Sequence, residues 1–257
     1  MERLAHMKLQ RIQQIENHIQ QQGSISLDEL CRVFNVSKNT IRRDINELEK
    51  RGTLKKVYGG VVYVENNLVS FENRNIHNQK EKESIGARAA LLIEENDLIY
   101  IDSGTTTSQI LNNVDPELPF TLLTNNLDII NLAAAMNNVQ LILIGNSYKR
   151  KTRSFVGIED EAVVTRYNIN KAFMAATGVS ITSGLTNSDL MEYRIKKMIV
   201  QRAKDIYLLA DSSKFDHSTL LTYSPLESIK GIVTTKELPQ KYVDFCDLHT
   251  IKLLYSN

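Results

Sequence analysis

The sequence predicts an α/β protein in two parts: a small N-terminal domain of three helices closed by a β-hairpin, and a larger C-terminal body of layered α/β structure. Three observations lead there. Apolar residues recur at three- and four-residue steps to about residue 50, two short β-prone runs around glycines follow, and beyond residue 83 short apolar runs alternate with helical stretches. At 257 residues with 42% hydrophobic content, the chain can bury a sizeable core and is long enough for two domains.

In the first helix, expected from Lys8 to Gln22, Leu9, Ile12, Ile15 and Ile19 form the inner stripe, and Gly23 marks the stop. Ile25 is read as part of a connector. Ser26 caps a second helix whose inner face is Leu27, Leu30, Cys31 and Phe34, and Asn35 and Val36 make a tight turn. The third helix runs from its cap Ser37 to Gly52, with Ile41, Ile45 and Leu48 facing inward. Its outer face carries Asn39, Arg42, Arg43, Asn46 and Lys50 and no acid. Arginine can take the O6 and N7 acceptors of guanine as a pair, and asparagine can do the same for adenine, so this face has groove-reading chemistry. An amphipathic helix with a merely solvated outer face has the same pattern in isolation.

The surroundings favour DNA. Two short helices joined by a brief turn form a helix-turn-helix. Residues 53–58 and 61–64 flank Gly59 and Gly60 as a hairpin, which makes the head a winged helix with Lys55 and Lys56 against flanking phosphates. Net charge is only +1, but residues 1–62 hold eleven Lys/Arg against seven Asp/Glu, leaving the rest at −3. A basic end on a mildly acidic body suits phosphate attraction at one end only. Cys31 and Cys246 have no metal-ligand spacing around them, so no metal or cofactor is expected; Cys31 reads as a packing residue rather than a redox switch. No run of about 18 apolar residues and no signal-like start are present, so the expectation is a cytoplasmic protein that engages no membrane.

The run from Thr40 to Glu49 (Thr-Ile-Arg-Arg-Asp-Ile-Asn-Glu-Leu-Glu), followed by Gly52 and by Gly59, Gly60, Val61 and Val62, resembles the DNA-binding head of the DeoR family of bacterial transcriptional regulators. The resemblance implies that the Arg-Arg helix enters the major groove of operator DNA, with Thr40, Arg42 and Arg43 at the matched positions. Together with the chemistry of the face, the candidate DNA contacts are Ser37, Lys38, Asn39, Thr40, Arg42, Arg43, Asn46, Lys55 and Lys56.

The organisation expected is a head at residues 1–64, a polar linker at 65–83 and a body at 84–257, the body opening on a helix from Ser84 to Glu94. Strands are expected at Leu98–Asp102, which a helix follows, then at Phe120–Thr124, Gln140–Gly145, Lys171–Thr177, Asp205–Ala210, Ile229–Thr234 and His249–Leu254. Helices are expected at Leu127–Met136 and Asp189–Ala203. Alternation of this kind implies a mostly parallel sheet with helices on both faces.

Ligands of such sheets gather beyond the carboxyl ends of the strands. There lie Asp102, Ser103, Gly104, Thr105, Thr106 and Thr107, a small-residue turn whose amides and hydroxyls suit a phosphate, although such a turn also serves as a plain helix cap. Other strand ends add Thr124, Asn125 and Asn126; Gly145 and Asn146 with Lys149, Arg150, Lys151 and Arg153; and Asp211, Ser212, Ser213 and Lys214. Hydroxyls, amides and charges of both signs suit a polyhydroxylated anion, most simply a sugar phosphate.

The resemblance continues through the 102–107 turn, Thr124 and Asn125, Ser154 to Gly157, Lys171 to Phe173, Gly184 to Thr186, Glu192 with Lys196, and Ala210 to Phe215, spanning about residues 8 to 240. It implies an effector domain similar in fold to ribose-5-phosphate isomerase, glucosamine-6-phosphate deaminase and CoA transferases, sensing a phosphorylated sugar. Asn146 and Thr177, the latter preceding Gly178, depart from the family pattern at strand ends facing that site. The function expected is a homo-oligomeric repressor, dimer or tetramer, of a carbohydrate or polyol operon, not an enzyme. The alternative is a body retaining isomerase or deaminase chemistry with Asp102 or Asp211 as base. Glu192 and Lys196 also fit an ordinary i,i+4 helix pair.

Overall fold

A computed structural model describes residues 11–19, 22, 24–51, 54–57, 60–63, 78–158, 164 and 166–256. The expected C-cap Gly52, the wing-tip Gly59 and the connector as far as residue 77 lie outside the described residues. The chain divides into two compact units, Met1–Asn73 and Arg74–Asn257.

In the first unit, residues 11–19 form helix α1, Leu27–Phe34 form α2 and Lys38–Arg51 form α3. Ile12, Ile15, Ile19, Leu30, Ile41, Ile45 and Leu48 make one fully buried core, the inner stripes read from the spacing. Ser26 Oγ accepts the Glu29 amide at 3.1 Å and Ser37 Oγ the Thr40 amide at 3.2 Å, so both expected caps form. Asn35 ends α2 in the left-handed region at φ 50°, a conformation asparagine tolerates. Ile25 is not in a connector. Strand β1 (Ser24–Ser26) pairs antiparallel with β3 (Gly60–Tyr63), which pairs with β2 (Leu54–Val57), making a three-stranded wing. Gly60 permits this crossing, since a Cβ there would lie 2.6 Å from the Ile25 carbonyl oxygen.

The second unit opens with helix α4 at Gln79–Ala90, five residues before the expected Ser84, because Lys82 is buried and Gly86, Ala89 and Ala90 let the helix pack closely. The main sheet is all parallel, with seven strands in the order β15-β14-β12-β9-β4-β5-β6. They are β4 (Leu98–Ile101), β5 (Phe120–Thr124), β6 (Val139–Leu143), β9 (Lys171–Met174), β12 (Asp205–Leu209), β14 (Gly231–Thr234) and β15 (Lys252–Tyr255). Helices α5 (Leu127–Ala133), α6 (Leu190–Arg202, capped by Asp189) and α7 (Gln240–Leu248) complete the layers. Two separate apolar clusters, one around Tyr100, Leu123 and Ile199 and one around Ile85, Ile101 and Phe173, pack the sheet.

Three expectations fail in the body. No α-helix follows β4; the segment makes only short 3-10 turns at Thr107–Gln109 and Leu111–Asn113. The Thr107 hydroxyl explains this, since it donates to the Asp102 carbonyl and accepts from the Gly104 amide, closing the loop on itself instead of opening a helix. A second, antiparallel sheet of β10 (Gly178–Ser180), β11 (Gly184–Asn187) and β13 (Leu221–Ser224) was not expected, nor was the hairpin β7 (Ser147–Lys149) with β8 (Ser154–Val156). The strand expected to run to Thr177 therefore ends at Met174, before the chain turns into β10.

Candidate functional site

On α3 the residues facing away from the core are those the sequence nominates. Asn39, Arg42, Arg43 and Asn46 are exposed. The one acid in the middle of the helix, Asp44, is 1% exposed and is held by Arg11 of α1, with Nε at 2.8 Å and Nη2 at 3.2 Å. This bond raises the Arg11 pKa further above its ordinary value. Asp44 is thereby kept off the outer stripe, which the spacing already reads as free of acid; its tie to Arg11, 33 residues away, is what the spacing does not disclose. Ser37 and Thr40 share a hydroxyl contact at 2.9 Å, and Lys38 bridges to Asp28 at 2.6 Å. Lys56 pairs with Glu49 on the surface, and the Lys55 side chain lies outside the described residues.

In the second unit the chain leaves β4 toward β5 and β6, then returns to lay β9, β12, β14 and β15 on the opposite side. The reversal falls between β4 and β9, so the crevice beyond their carboxyl ends is the topological switch point at which such sheets bind ligands. Asp102, the first residue past β4, is fully buried there. Its Oδ2 accepts the Ala175 amide at 2.9 Å and pairs with the Lys196 ammonium, which also donates to the Ala175 carbonyl at 2.9 Å. The Tyr223 hydroxyl donates to the same carbonyl at 3.0 Å, and Lys196 sits 5.2 Å from the Tyr223 ring centre. Tyr100 reaches Asp102 at 3.4 Å and Asn125 Oδ1 at 2.9 Å; burial, Asp102 and Glu192 hold its hydroxyl well above the usual tyrosine range. Glu192 and Lys196 are therefore no surface i,i+4 pair. Lys196 turns to Asp102, while Glu192 accepts from Ser154 and Asn187 at 3.3 Å each.

The candidate residues divide by whether their polar atoms are already committed. Thr124 donates to the Ile101 carbonyl at 2.7 Å, tying β5 to β4. Asn125 bridges Tyr100 and the Phe155 carbonyl, and Asn126 Oδ1 caps α5 while its Nδ2 is buried without a partner. Gly145 (φ +94°) and Gly178 leave room for backbone, at Phe155 and His217 respectively, where a Cβ would lie 2.7 and 2.6 Å from a main-chain atom. The Asn146 amide meets the carbonyls of Val156 and Gly157, Arg153 pairs with Asp128, and Lys151 is exposed.

Other groups stay available. Ser103 is 7% exposed and buries a hydroxyl oxygen that has no partner. Thr105 and Thr106 are buried at the same turn, and their hydroxyls, unlike that of Thr107, make no bond within it. Beyond β12, Asp211 is buried and accepts the Ser213 amide at 3.0 Å. Burial pushes its carboxyl up, but Lys214, the Ser213 hydrogen bonds and Lys82 outweigh this and hold it below its usual value. Lys82 falls in the segment expected to be polar linker, and no local pattern marks it as buried. Among the described residues no group of His, Cys, Asp and Glu is arranged to hold a metal ion, and no helix is long and apolar enough to cross a membrane.

Residues 11–67 match the DeoR-like helix-turn-helix domain, and residues 77–236 match the DeoR C terminal sensor domain. The HTH-type transcriptional regulator IolR of Bacillus subtilis (strain 168) is 58% identical over 246 residues, covering 95% of this chain and 98% of IolR. The glycerol-3-phosphate regulon repressor of Escherichia coli (strain K12) is 24% identical over 236 residues, covering 91% and 94% of the two chains. Among solved structures, ribose 5-phosphate isomerase A from Methanocaldococcus jannaschii is similar at a TM-score of 0.41, with 17% identity over 54% of this chain and 55% of that one. With a helix-turn-helix head, a sensor body and relatives named as regulators rather than enzymes, the chain belongs to the DeoR family of transcriptional regulators.

Proposed function

We propose that this regulator represses a carbohydrate or polyol operon and releases its operator when a phosphorylated sugar enters the crevice at the carboxyl ends of β4, β9 and β12. The observation that carries this reading is the turn from Ser103 to Thr106, a buried run of hydroxyls at the switch point with the Ser103 oxygen unpartnered. Polar atoms buried without partners are costly, and an anionic ligand that accepts from them recovers that cost. A relative named for the glycerol-3-phosphate regulon supports the same ligand chemistry. Asp102 is a poor candidate for a catalytic base, because both its oxygens already accept hydrogen bonds and one is paired with Lys196.

One head offers a single helix to the groove, so two or more copies act together on a repeated operator. To weaken operator affinity about 100-fold, the effector must favour the released arrangement by roughly 2.7 kcal/mol, within reach of a few phosphate hydrogen bonds. The test is operator release measured by fluorescence anisotropy against a panel of sugar phosphates. A member of the panel releases the wild-type chain, and Thr105→Ala binds the operator equally well but stays bound. A Thr105→Ala protein that is released at the wild-type concentration removes this turn from the site.

A further inference from the structure

Helix α4 carries a lysine whose part in the site, so far, is only to help lower the pKa of Asp211. Lys82 is 3% exposed although its neighbours Lys80 and Glu83 face water. Residues four apart on a helix share a face, and on this face Asn78 and Gly86 both meet the loops of the crevice. Asn78, at the cap position, donates from Nδ2 to Asp211 Oδ1 at 3.5 Å. Gly86 lies against Gln109, where a Cβ would approach the Gln109 Cβ to 2.6 Å and its carbonyl carbon to 2.7 Å. Lys82 stands midway between them. One contact reaches the loop after β12 and the other the turn that ends the Ser103–Thr107 loop after β4, so Lys82 lies on the helix face between those loops, near enough to Asp211 to help lower its pKa. Glu81 fixes the same turn of the helix to the end of β14 through Lys236 at 3.1 Å and Thr235 at 3.2 Å.

We propose that Lys82 is an anion-binding residue of the crevice, donating to the effector's phosphate beside Ser103 and the Thr105–Thr106 turn. This rests on the crevice being a phosphate site, as read above. An ammonium group on a flexible stem suits the role, since its three donors can turn from one oxyanion to another. Asp211 supplies a negative charge at the same place, and a phosphate competes with it for Lys82.

The experiment titrates the full-length chain with inorganic phosphate at constant ionic strength, reading thermal unfolding and amide hydrogen exchange of residues 79–90. Phosphate is expected to stabilise the wild type and slow exchange in that segment. Lys82→Met should need at least about tenfold more phosphate for the same stabilisation, while Lys82→Arg, which keeps the charge, should stay within about threefold. If the methionine variant does not fold, Lys82→Gln, which keeps a donor and loses the charge, takes its place with the same expectation. Wild-type phosphate affinity in Lys82→Met, alongside a loss in Thr105→Ala, overturns the role of Lys82 and leaves the crevice reading intact. A wild type that phosphate neither stabilises nor protects overturns both.

Discussion

Helix α3 in the head and the carboxyl edge of the sheet in the body both gather polar side chains, yet Arg42, Arg43 and Asn46 are exposed whereas Asp102, Glu192 and Lys196 are buried. The head keeps Arg42 and Arg43 in water, where they can meet phosphates and base edges, and hides its central acid Asp44 against Arg11. The body pairs its charges inside, where a low dielectric makes each partner costly to lose. The difference predicts where substitutions act. Changes on the head's outer face alter binding with little effect on folding, and changes at the crevice reach folding first.

The largest effect expected is at Asp102. Asp102→Ala leaves the Lys196 ammonium, 4% exposed, without its carboxylate, which costs about 3–5 kcal/mol of body stability. Urea unfolding followed by tyrosine fluorescence is the measurement, since the chain has no tryptophan. A loss below about 1 kcal/mol would mean that the pair is not the buried keystone its geometry describes. Arg43→Ala is its counterpart in the head. Losing a bidentate base contact costs about 1–3 kcal/mol of operator affinity, roughly 5- to 150-fold, with the urea midpoint unchanged. A footprinting midpoint at the operator that is unchanged from the wild type would refute this.

The same contrast explains what the sequence disclosed. Among the described residues of the head, the inner stripes, the Ser26 and Ser37 caps and the hairpin were legible, because helix caps, i/i+3/i+4 stripes and turn glycines are local signals. Among those described residues β1 was missed, since three residues, Ser-Ile-Ser, are too short to show a strand period. In the body, the parallel strands appeared as apolar runs within a few residues of their ends. The antiparallel β10-β11-β13 sheet did not, because its strands of three and four residues are held by cross-chain register. Sequence chemistry picked out the polar residues at the strand ends but not which have free atoms. Whether Thr107 closes its own loop while Ser103 stays unpartnered is decided by tertiary placement. Lys82 and the Lys196–Asp102 pair were hidden for the same reason, as their partners are 129 and 94 residues away in sequence.

Smaller effects sharpen the comparison further. Ser37→Ala removes the cap of α3 and should lower the stability of the head by about 1 kcal/mol, weakening operator binding by less than Arg43→Ala does. A Ser37→Gly variant should lose only a few tenths. If alanine and glycine proved equally harmful to operator affinity with no change in the urea midpoint, Ser37 would be a phosphate contact rather than a cap.

Acid provides the last and mildest probe, because both parts contain carboxylates held below their usual range and only one of them is buried. Asp28 and Glu49 in the head are lowered by hydrogen bonds from Lys38 and Lys56, but at the surface, where solvent screens them and no stability follows. Asp211 in the body is 1% exposed, and its lowered pKa is a folding contribution. A carboxyl whose folded value lies below its unfolded value of about 3.9 stabilises fully above that pH and loses its contribution as pH falls through the folded value. The urea midpoint of the body should therefore be insensitive to Asp211 from neutral pH to about pH 5 and decline on its account below about pH 4. Asp211→Asn keeps a capping oxygen for Ser213 and abolishes the titration, so its acid limb should be shallower than that of the wild type. An equally steep limb in the variant would show that the surrounding lysines leave Asp211 no net stabilising charge to lose.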